Sequence, residues 1–244
     1  MSPWKLIYCF TKRLSQSQEK FENILYSLNK SIELSSRFHD VKIITDTETL
    51  KYLNNLQVEK ELFEFGHLHF LDDIKISILP HIKENEILID PDVFLYKELI
   101  VSVECDLFAE RPENINDRWY IKDYNLSKKF KFSKHIKLDS KSGNVTNIGI
   151  LKFFNKNLLK KYIEEYNFVK SIALEQNDNL YSFPTFSILL GQLLLQNIID
   201  KNDYRVSYAK LNTHNKYYHL AGEQKYDINY LKNIIEKTLQ RPII

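Results

Sequence analysis

Short apolar runs alternate along this chain with longer stretches whose apolar residues recur every three or four positions, which predicts a succession of strands and helices. Residues 5–10 form an apolar run rich in strand formers. Over residues 17–38, Phe21, Ile24, Leu25, Leu28, Ile32 and Leu34 fall near helical spacing. Residues 41–44 predict a second strand ending at Thr45-Asp46, with a helix over 47–53 after it. Residues 63–70 alternate enough to predict a third strand, 74–82 predict a helix, and 87–89 predict a strand with no polar face. A strand apolar on both faces belongs in the middle of a parallel sheet covered by helices. Strand–helix alternation gives the same answer, an α/β fold with a central, mostly parallel sheet flanked by helices.

Further on, strands are expected at 106–109 and 145–154, and helices at 158–166, 187–199 and 227–239. The last carries Ile228, Leu231, Ile234 and Ile235 as its apolar stripe. Residues 112–142 are polar and aromatic and receive no assignment; active-site loops often have that character. With no internal repeat or low-complexity linker, a single domain over residues 1–244 is expected.

Composition narrows the function. A hydrophobic content of 43% is ample for a sizeable core. Thirty-four basic residues against 32 acidic ones leave a net charge of +2, no electrostatic footprint for a nucleic acid. Lys128, Lys129, Lys131, Lys134 and Lys137 form a local basic stretch. It reads either as a solvated loop or as a weak contact with anionic lipid or an acceptor. Cys9 and Cys105 are far apart in apolar runs, against a disulfide framework or a cysteine zinc site. The N-terminus lacks the features of a signal peptide. The longest apolar stretch, 186–199, is interrupted by Ser187, Gly191, Gln192, Gln196 and Asn197, short of the roughly 20 residues that span a bilayer. A cytoplasmic protein with at most peripheral membrane contact is expected. Five glycines and many Lys, Asn and Ile residues point to an AT-rich bacterial gene.

Two short motifs carry candidate chemistry. The apolar run from Glu86 ends in Asp90-Pro91-Asp92. In an extended chain residues i and i+2 project to one side, so both carboxylates can face one cation. Pro91 stiffens the pair by fixing its own φ and biasing Asp90 toward extended geometry. Ligands of open α/β sheets bind beyond the carboxyl ends of the strands, and Mg²⁺ or Mn²⁺ is commonly held by one or two carboxylates plus substrate phosphates. Asp-Pro-Asp also reads as an ordinary strand-terminating turn. The second motif is His219-x-x-Gly222-x-x-Lys225. His219 could supply imidazole to the same metal, Gly222 close backbone approach to a diphosphate, and Lys225 a compact positive charge. Alone, it reads equally as a surface turn.

Taken together, these motifs resemble a family. Asp90-Pro91-Asp92 looks like the Asp-x-Asp motif of GT-A-type glycosyltransferases, whose fold is Rossmann-like. Asn147-Ile148-Gly149 is similar to the Asn-x-Gly strand of many retaining members, and His219-x-x-Gly222-x-x-Lys225 to the C-terminal motif of the glycogenin-like and lipopolysaccharide-galactosyltransferase-like group. The resemblance implies a nucleotide-diphosphate-sugar donor, most often UDP-linked, and hexosyl transfer with Mn²⁺ or Mg²⁺ held by Asp90, Asp92 and His219. It implies a nucleotide-binding half over about residues 1–110 and an acceptor half over about 111–244. Asp92 and Asn147 would act in the reaction, while Thr11, Lys75, Asp90, Gly149, Gly222 and Lys225 would hold the donor. Thr11 reads equally as a turn residue leading into a helix, and Lys75 as a solvated helix lysine. The resemblance leaves the acceptor open among a bacterial surface glycan, a lipid-linked acceptor and a protein.

The chain departs from the family at Lys225, followed by Tyr226-Asp227 rather than Pro-Trp, and before the late helix, where Ser182 to Ser187 replace an expected Asp-Gln or Glu-Gln pair. Three other classes compete. A nucleotidyltransferase shares the broad architecture and would attack the α-phosphate, and the His219 motif argues against it. A haloacid-dehalogenase-type phosphatase also sets Asp-x-Asp after an apolar strand, but here Phe94 stands where that motif continues with Thr or Val. A binding protein with the same fold and no turnover is the non-enzymatic alternative.

Overall fold

The computed structural model describes residues 2–14, 17–176, 188–209, 217–219, 227, 229–230 and 232–233. The chain divides into two compact units, one of Met1–Phe65, Lys83–Ile100 and Lys210–Ile244, the other of Gly66–Ile82 and Val101–Ala209.

In the first unit, β1 (Lys5–Phe10), β2 (Asp40–Thr45), β3 (Glu59–Leu62) and β4 (Glu86–Ile89) lie side by side in the order β3-β2-β1-β4, every pair parallel. That order, reversing direction between β1 and β4, is Rossmann-like. The alternation of runs and periodic segments explains it: Leu6, Ile7 and Tyr8 are fully buried and all four residues of β4 are buried, as inner parallel strands require. Each such side chain contributes about 1.5–3 kcal/mol of burial. The third strand is not at 63–70, as expected, but at Glu59–Leu62, a mostly exposed run of charges. Edge strands need no apolar face, and charged side chains protect them. Lys42 of β2 is buried with its ammonium 2.8 Å from Glu86 and 2.9 Å from Glu61, and the Lys83 N–H donates to Glu86 at 2.9 Å. The buried charge is thereby paired, as burial demands.

Helix α1 (Gln18–Ser35) starts at Ser17, whose side chain accepts the Lys20 N–H. Its buried face includes Phe21, Leu28 and Ile32 together with Ser27, Ser31 and Ser35. The Tyr8 hydroxyl bonds Ser31 at 2.8 Å and Ser35 at 2.9 Å, and Ser31 donates to the Val93 carbonyl. Helix α2 (Thr47–Leu50) is capped by Asp46 and runs into a 3₁₀ turn at Lys51–Leu53. Beyond β4, β5 (Val93–Leu95) pairs antiparallel with β9 (Tyr217–His219).

The second unit holds α3 (Asp73–Ile78), β6 (Leu107–Asn114), α4 (Arg118–Ser127), β7 (Asn144–Phe153), α5 (Lys156–Gln176), α6 (Leu194–Asn202) and β8 (Val206–Tyr208). Its strands lie in the order β7-β6-β8, with β6 antiparallel to β7 and parallel to β8. The expected α/β class with mostly parallel strands therefore holds. Residues 112–142, unassigned from sequence, supply the end of β6, the whole of α4 and a 3₁₀ turn at Lys131–His135. The register of β6 against β7 shifts between Ala109 and Arg111, where Glu110 alone stands against Ile148, Gly149 and Ile150, so the extra residues lie in β7. Glu110 is fully buried and 3.0 Å from the Arg111 guanidinium. The helix expected at 158–166 extends over the longer α5. That expected at 187–199 is a π-helical turn, Ile188–Leu193, running into α6. Among the described residues no helix is long and apolar enough to cross a membrane. Of the tail helix expected at 227–239, residues 229–230 and 232–233 are helical and most of the rest lie outside the described residues.

Candidate active site

The parallel register of the first unit sets Phe10 beside Thr45 and Tyr8 beside Ile89. Thr11, Asp46 and Asp90 therefore follow the carboxyl ends of β1, β2 and β4 along one sheet edge. The order reverses between β1 and β4, and this crevice is where α/β sheets of this kind take their ligands. Thr11 is buried; its hydroxyl donates to Asp46 and accepts the Arg13 N–H at 3.2 Å. The other oxygen of Asp46 accepts the Thr49 N–H at 2.7 Å. Thr11 thus leads into a turn and braces the cap of α2.

Asp90-Pro91-Asp92 is a turn, with the Val93 N–H donating to the Asp90 carbonyl at 3.2 Å. The expectation that both carboxylates share one side of an extended chain is thereby corrected, because a turn does not alternate its side chains as a strand does. Asp90 is half-buried, whereas Asp92 is only 3% exposed. The next three residues form β5, and its pairing sets Val93 opposite His219 and Leu95 opposite Tyr217. The backbone of His219 is thus brought in register beside the residue that follows Asp92. Gly222 and Lys225 lie outside the described residues. As a donor set, two carboxylates and an imidazole suit Mn²⁺, and the carboxylates alone with substrate phosphates suit Mg²⁺. Among the described residues, which do not include the His219 side chain, no three His, Cys, Asp or Glu side chains cluster to hold a metal ion.

Asn147, Gly149 and Lys75 come together in the second unit. Asn147 is 4% exposed; its amide nitrogen donates to Glu113 at 2.7 Å and its carbonyl oxygen accepts the Gly149 N–H at 2.8 Å. Both ends of that side chain are engaged within the unit. Lys75 is not a solvated helix lysine: its side chain is 12% exposed, with the ammonium 3.2 Å from the Ile148 carbonyl and 4.0 Å from Asp72. It therefore sits against the middle of the Asn-x-Gly strand.

Sequence reasoning missed Glu113, and named Tyr120 only within the aromatic segment around Trp119 that could take the sugar if Asn147 does not; both lie in the stretch without an assigned element. Burial pushes the Glu113 carboxyl up, but hydrogen bonds from Tyr120, Asn147 and Arg111 outweigh it and hold the group below the usual carboxylate range. Tyr120 donates to Glu113 at 2.6 Å and meets Gln192 at 2.6 Å, and burial, then the Glu113 charge, pushes its phenol far up. A half-buried glutamate kept ionised can accept hydrogen bonds from a neutral hydroxyl-bearing ligand or orient a neighbouring amide. The signal available in the sequence was the polar alternation Arg111, Glu113 at the end of an otherwise apolar run.

No family model and no curated protein matches this chain. Among solved structures it is similar to CTP:phosphocholine cytidylyltransferase from Streptococcus pneumoniae, at 11% identity over 96% of this chain and 98% of that one, with a TM-score of 0.47. It is also similar to mouse xyloside xylosyltransferase 1 in its apo form, at 9% identity over 84% of each chain, with a TM-score of 0.43.

Proposed function

We propose that this protein is a metal-dependent glycosyltransferase of GT-A type, using a nucleotide-diphosphate-sugar, with UDP as the nucleotide. The observation that carries this reading is the pairing of β5 with β9, which brings His219 in register beside the strand that follows Asp92, at the carboxyl edge of a parallel sheet. The start of the C-terminal motif, far from Asp92 in sequence, thus has its backbone beside the residue that follows Asp92. In this reading Asp90, Asp92 and His219 would hold Mn²⁺ or Mg²⁺, which would supply positive charge beside the donor's phosphates. Gly222 admits the diphosphate closely and Lys225 stabilises the departing nucleoside diphosphate. Lys75, Asn147 and Gly149 enter through their motif resemblance, as donor-contacting residues. Donor sugar and acceptor are left open.

Donor hydrolysis tests the reading. Nucleotide release from UDP-sugars should depend on Mn²⁺ or Mg²⁺ and should fall in Lys225→Ala without loss of thermal stability. Phosphate release from sugar phosphates would indicate a phosphatase instead, and metal-dependent donor binding without turnover would indicate a binding protein.

A further inference from the structure

The outward side of α4 and the 3₁₀ turn after it combines two features that rarely coexist on a surface with nothing to bind. Trp119 is 51% exposed and Ile121 37%, and Phe168 of α5, whose ring lies 5.1 Å from that of His135 in the turn, is 50% exposed. The same stretch exposes Arg118, Lys122, Lys128, Lys129, Lys131, Lys134 and Lys137. The only acid between residues 118 and 137 is Asp123, and it is buried. A chain with a net charge of only +2 thus gathers seven bases in the stretch that exposes Trp119 and Ile121.

We propose that this face, residues 118–137, docks on an anionic phospholipid surface. Tryptophan and lysine in company are the chemistry of a membrane interface, the indole seated at headgroup depth and the long basic stems reaching the phosphates. Arg118 already lies over the Trp119 ring, its guanidinium carbon 4.2 Å from the ring centre, leaving that pair placed for a lipid phosphate. Ile121 separates this surface from one made for nucleic acid, since a branched aliphatic side chain offers no face on which a base can stack. The surface is also preformed. Tyr120, Phe132 and Ile136 are buried beneath it, and Asn197 of α6 accepts the Lys137 N–H at 2.8 Å while donating to the carbonyls of Lys137 and Asp139. Little ordering is needed on contact.

Sedimentation with vesicles tests the proposal. The protein should bind vesicles of phosphatidylcholine mixed with phosphatidylglycerol and not phosphatidylcholine alone, and binding should weaken as salt is raised. A lysine near such a surface is worth about fivefold in partition. The triple reversal Lys128→Glu, Lys129→Glu, Lys131→Glu should therefore lower binding by about a hundredfold or more. Trp119→Ser with Ile121→Ser should lower it by about tenfold through lost apolar contact. Unfolding midpoints close to the parent's establish that the variants fold; should one not fold, the lipid and salt dependence of the parent decides alone. Equal binding to neutral vesicles, unaltered binding by the folded charge reversal, or tighter binding to a random single-stranded oligonucleotide than to the anionic vesicles would overturn the proposal.

Discussion

Val93 and His219 stand opposite each other in an antiparallel pair, so the start of the C-terminal motif is held beside the residue that follows Asp92. Val93 is held from the other side as well, its carbonyl accepting the Ser31 hydroxyl of α1. The turn at Asp90-Pro91-Asp92 is therefore fixed at both ends, by β4 before it and by β5 after it.

Asp92→Asn tests whether this turn holds a metal. The substitution keeps the side chain's shape while removing its charge. In the parent, Mn²⁺ is expected to raise the midpoint of thermal unfolding, and this shift should be largely lost in the variant. Metal-dependent donor turnover should be lost with it, while the far-ultraviolet spectrum stays that of the parent. A full Mn²⁺ shift in the variant would remove Asp92 from the site.

How much of this was legible in the sequence depends on what each element hides from an apolar pattern. β1, β2 and β4 announce themselves because inner parallel strands are apolar on both faces. β3 does not, since Glu59, Lys60 and Glu61 form an edge whose strand character comes from backbone pairing with β2. The serine row Ser27, Ser31 and Ser35 was invisible for a related reason: small polar residues are buried where hydroxyl partners such as Tyr8 await them. In the candidate site the motifs were legible as residue types. Their geometry was not, because a turn at Asp-Pro-Asp and an extended pair share one sequence, and Glu113 becomes notable only once the fold brings Tyr120 of α4 and Asn147 of β7 to its carboxylate.

Gly191→Ala should destabilise the protein, although alanine ordinarily favours a helix by about 1 kcal/mol over glycine. A Cβ at this position would collide with the Asp72 carboxylate and press on Ile148. The Tyr162 hydroxyl holds the Gly191 carbonyl at 2.9 Å, which limits retreat. Overpacking of this kind costs about 1–3 kcal/mol. Urea unfolding should show that loss, and adding Asp72→Ser should recover much of it by removing the colliding oxygens. A stability equal to or above the parent's in Gly191→Ala would mean that the helix shifts to make room.

His39 gives the first unit a pH dependence of stability. Its Nε2 accepts the Leu99 N–H at 2.9 Å, which leaves Nδ1 to donate to the Trp4 carbonyl at 3.3 Å. Burial lowers its pKa below the ordinary 6.5, and the Trp4 contact offsets this only in part. Because the unfolded chain takes the proton more readily, stability should fall as pH drops through 6.5 and continue falling toward the lower folded value. Protonation also removes the acceptor that Leu99 uses. His39→Gln, which cannot titrate, should be less stable near neutrality and lose stability less steeply below it. His69, lowered chiefly by burial, leaves some slope in both proteins. Denaturant midpoints across that range measure the difference, and parallel profiles would exclude His39 as the source.

Asn147 is where stability and recognition meet, and two substitutions separate them. Asn147→Ala withdraws a donor from half-buried Glu113 and an acceptor from the Gly149 N–H. Leaving such groups unsatisfied should cost about 1–3 kcal/mol. Asn147→Asp keeps an acceptor for Gly149 but sets a second carboxylate against Glu113. Like charges at that distance raise the pKa of one group, so the pair holds a proton well above the usual carboxylate range. A raised folded pKa means that this variant is closest to the parent at low pH and loses ground as pH rises through the shared value. If Asn147 also touches the donor, as its motif resemblance implies, Asn147→Ala should blur discrimination among nucleotide sugars at a temperature where the variant is still folded. A site built to hydrogen-bond a hydroxyl rejects analogues that leave its groups unpaired, and removing the group removes the rejection. Donor preference measured beside stability decides between the two roles. A destabilised Asn147→Ala with the parent's preference would assign the side chain wholly to holding Glu113 and the Gly149 N–H.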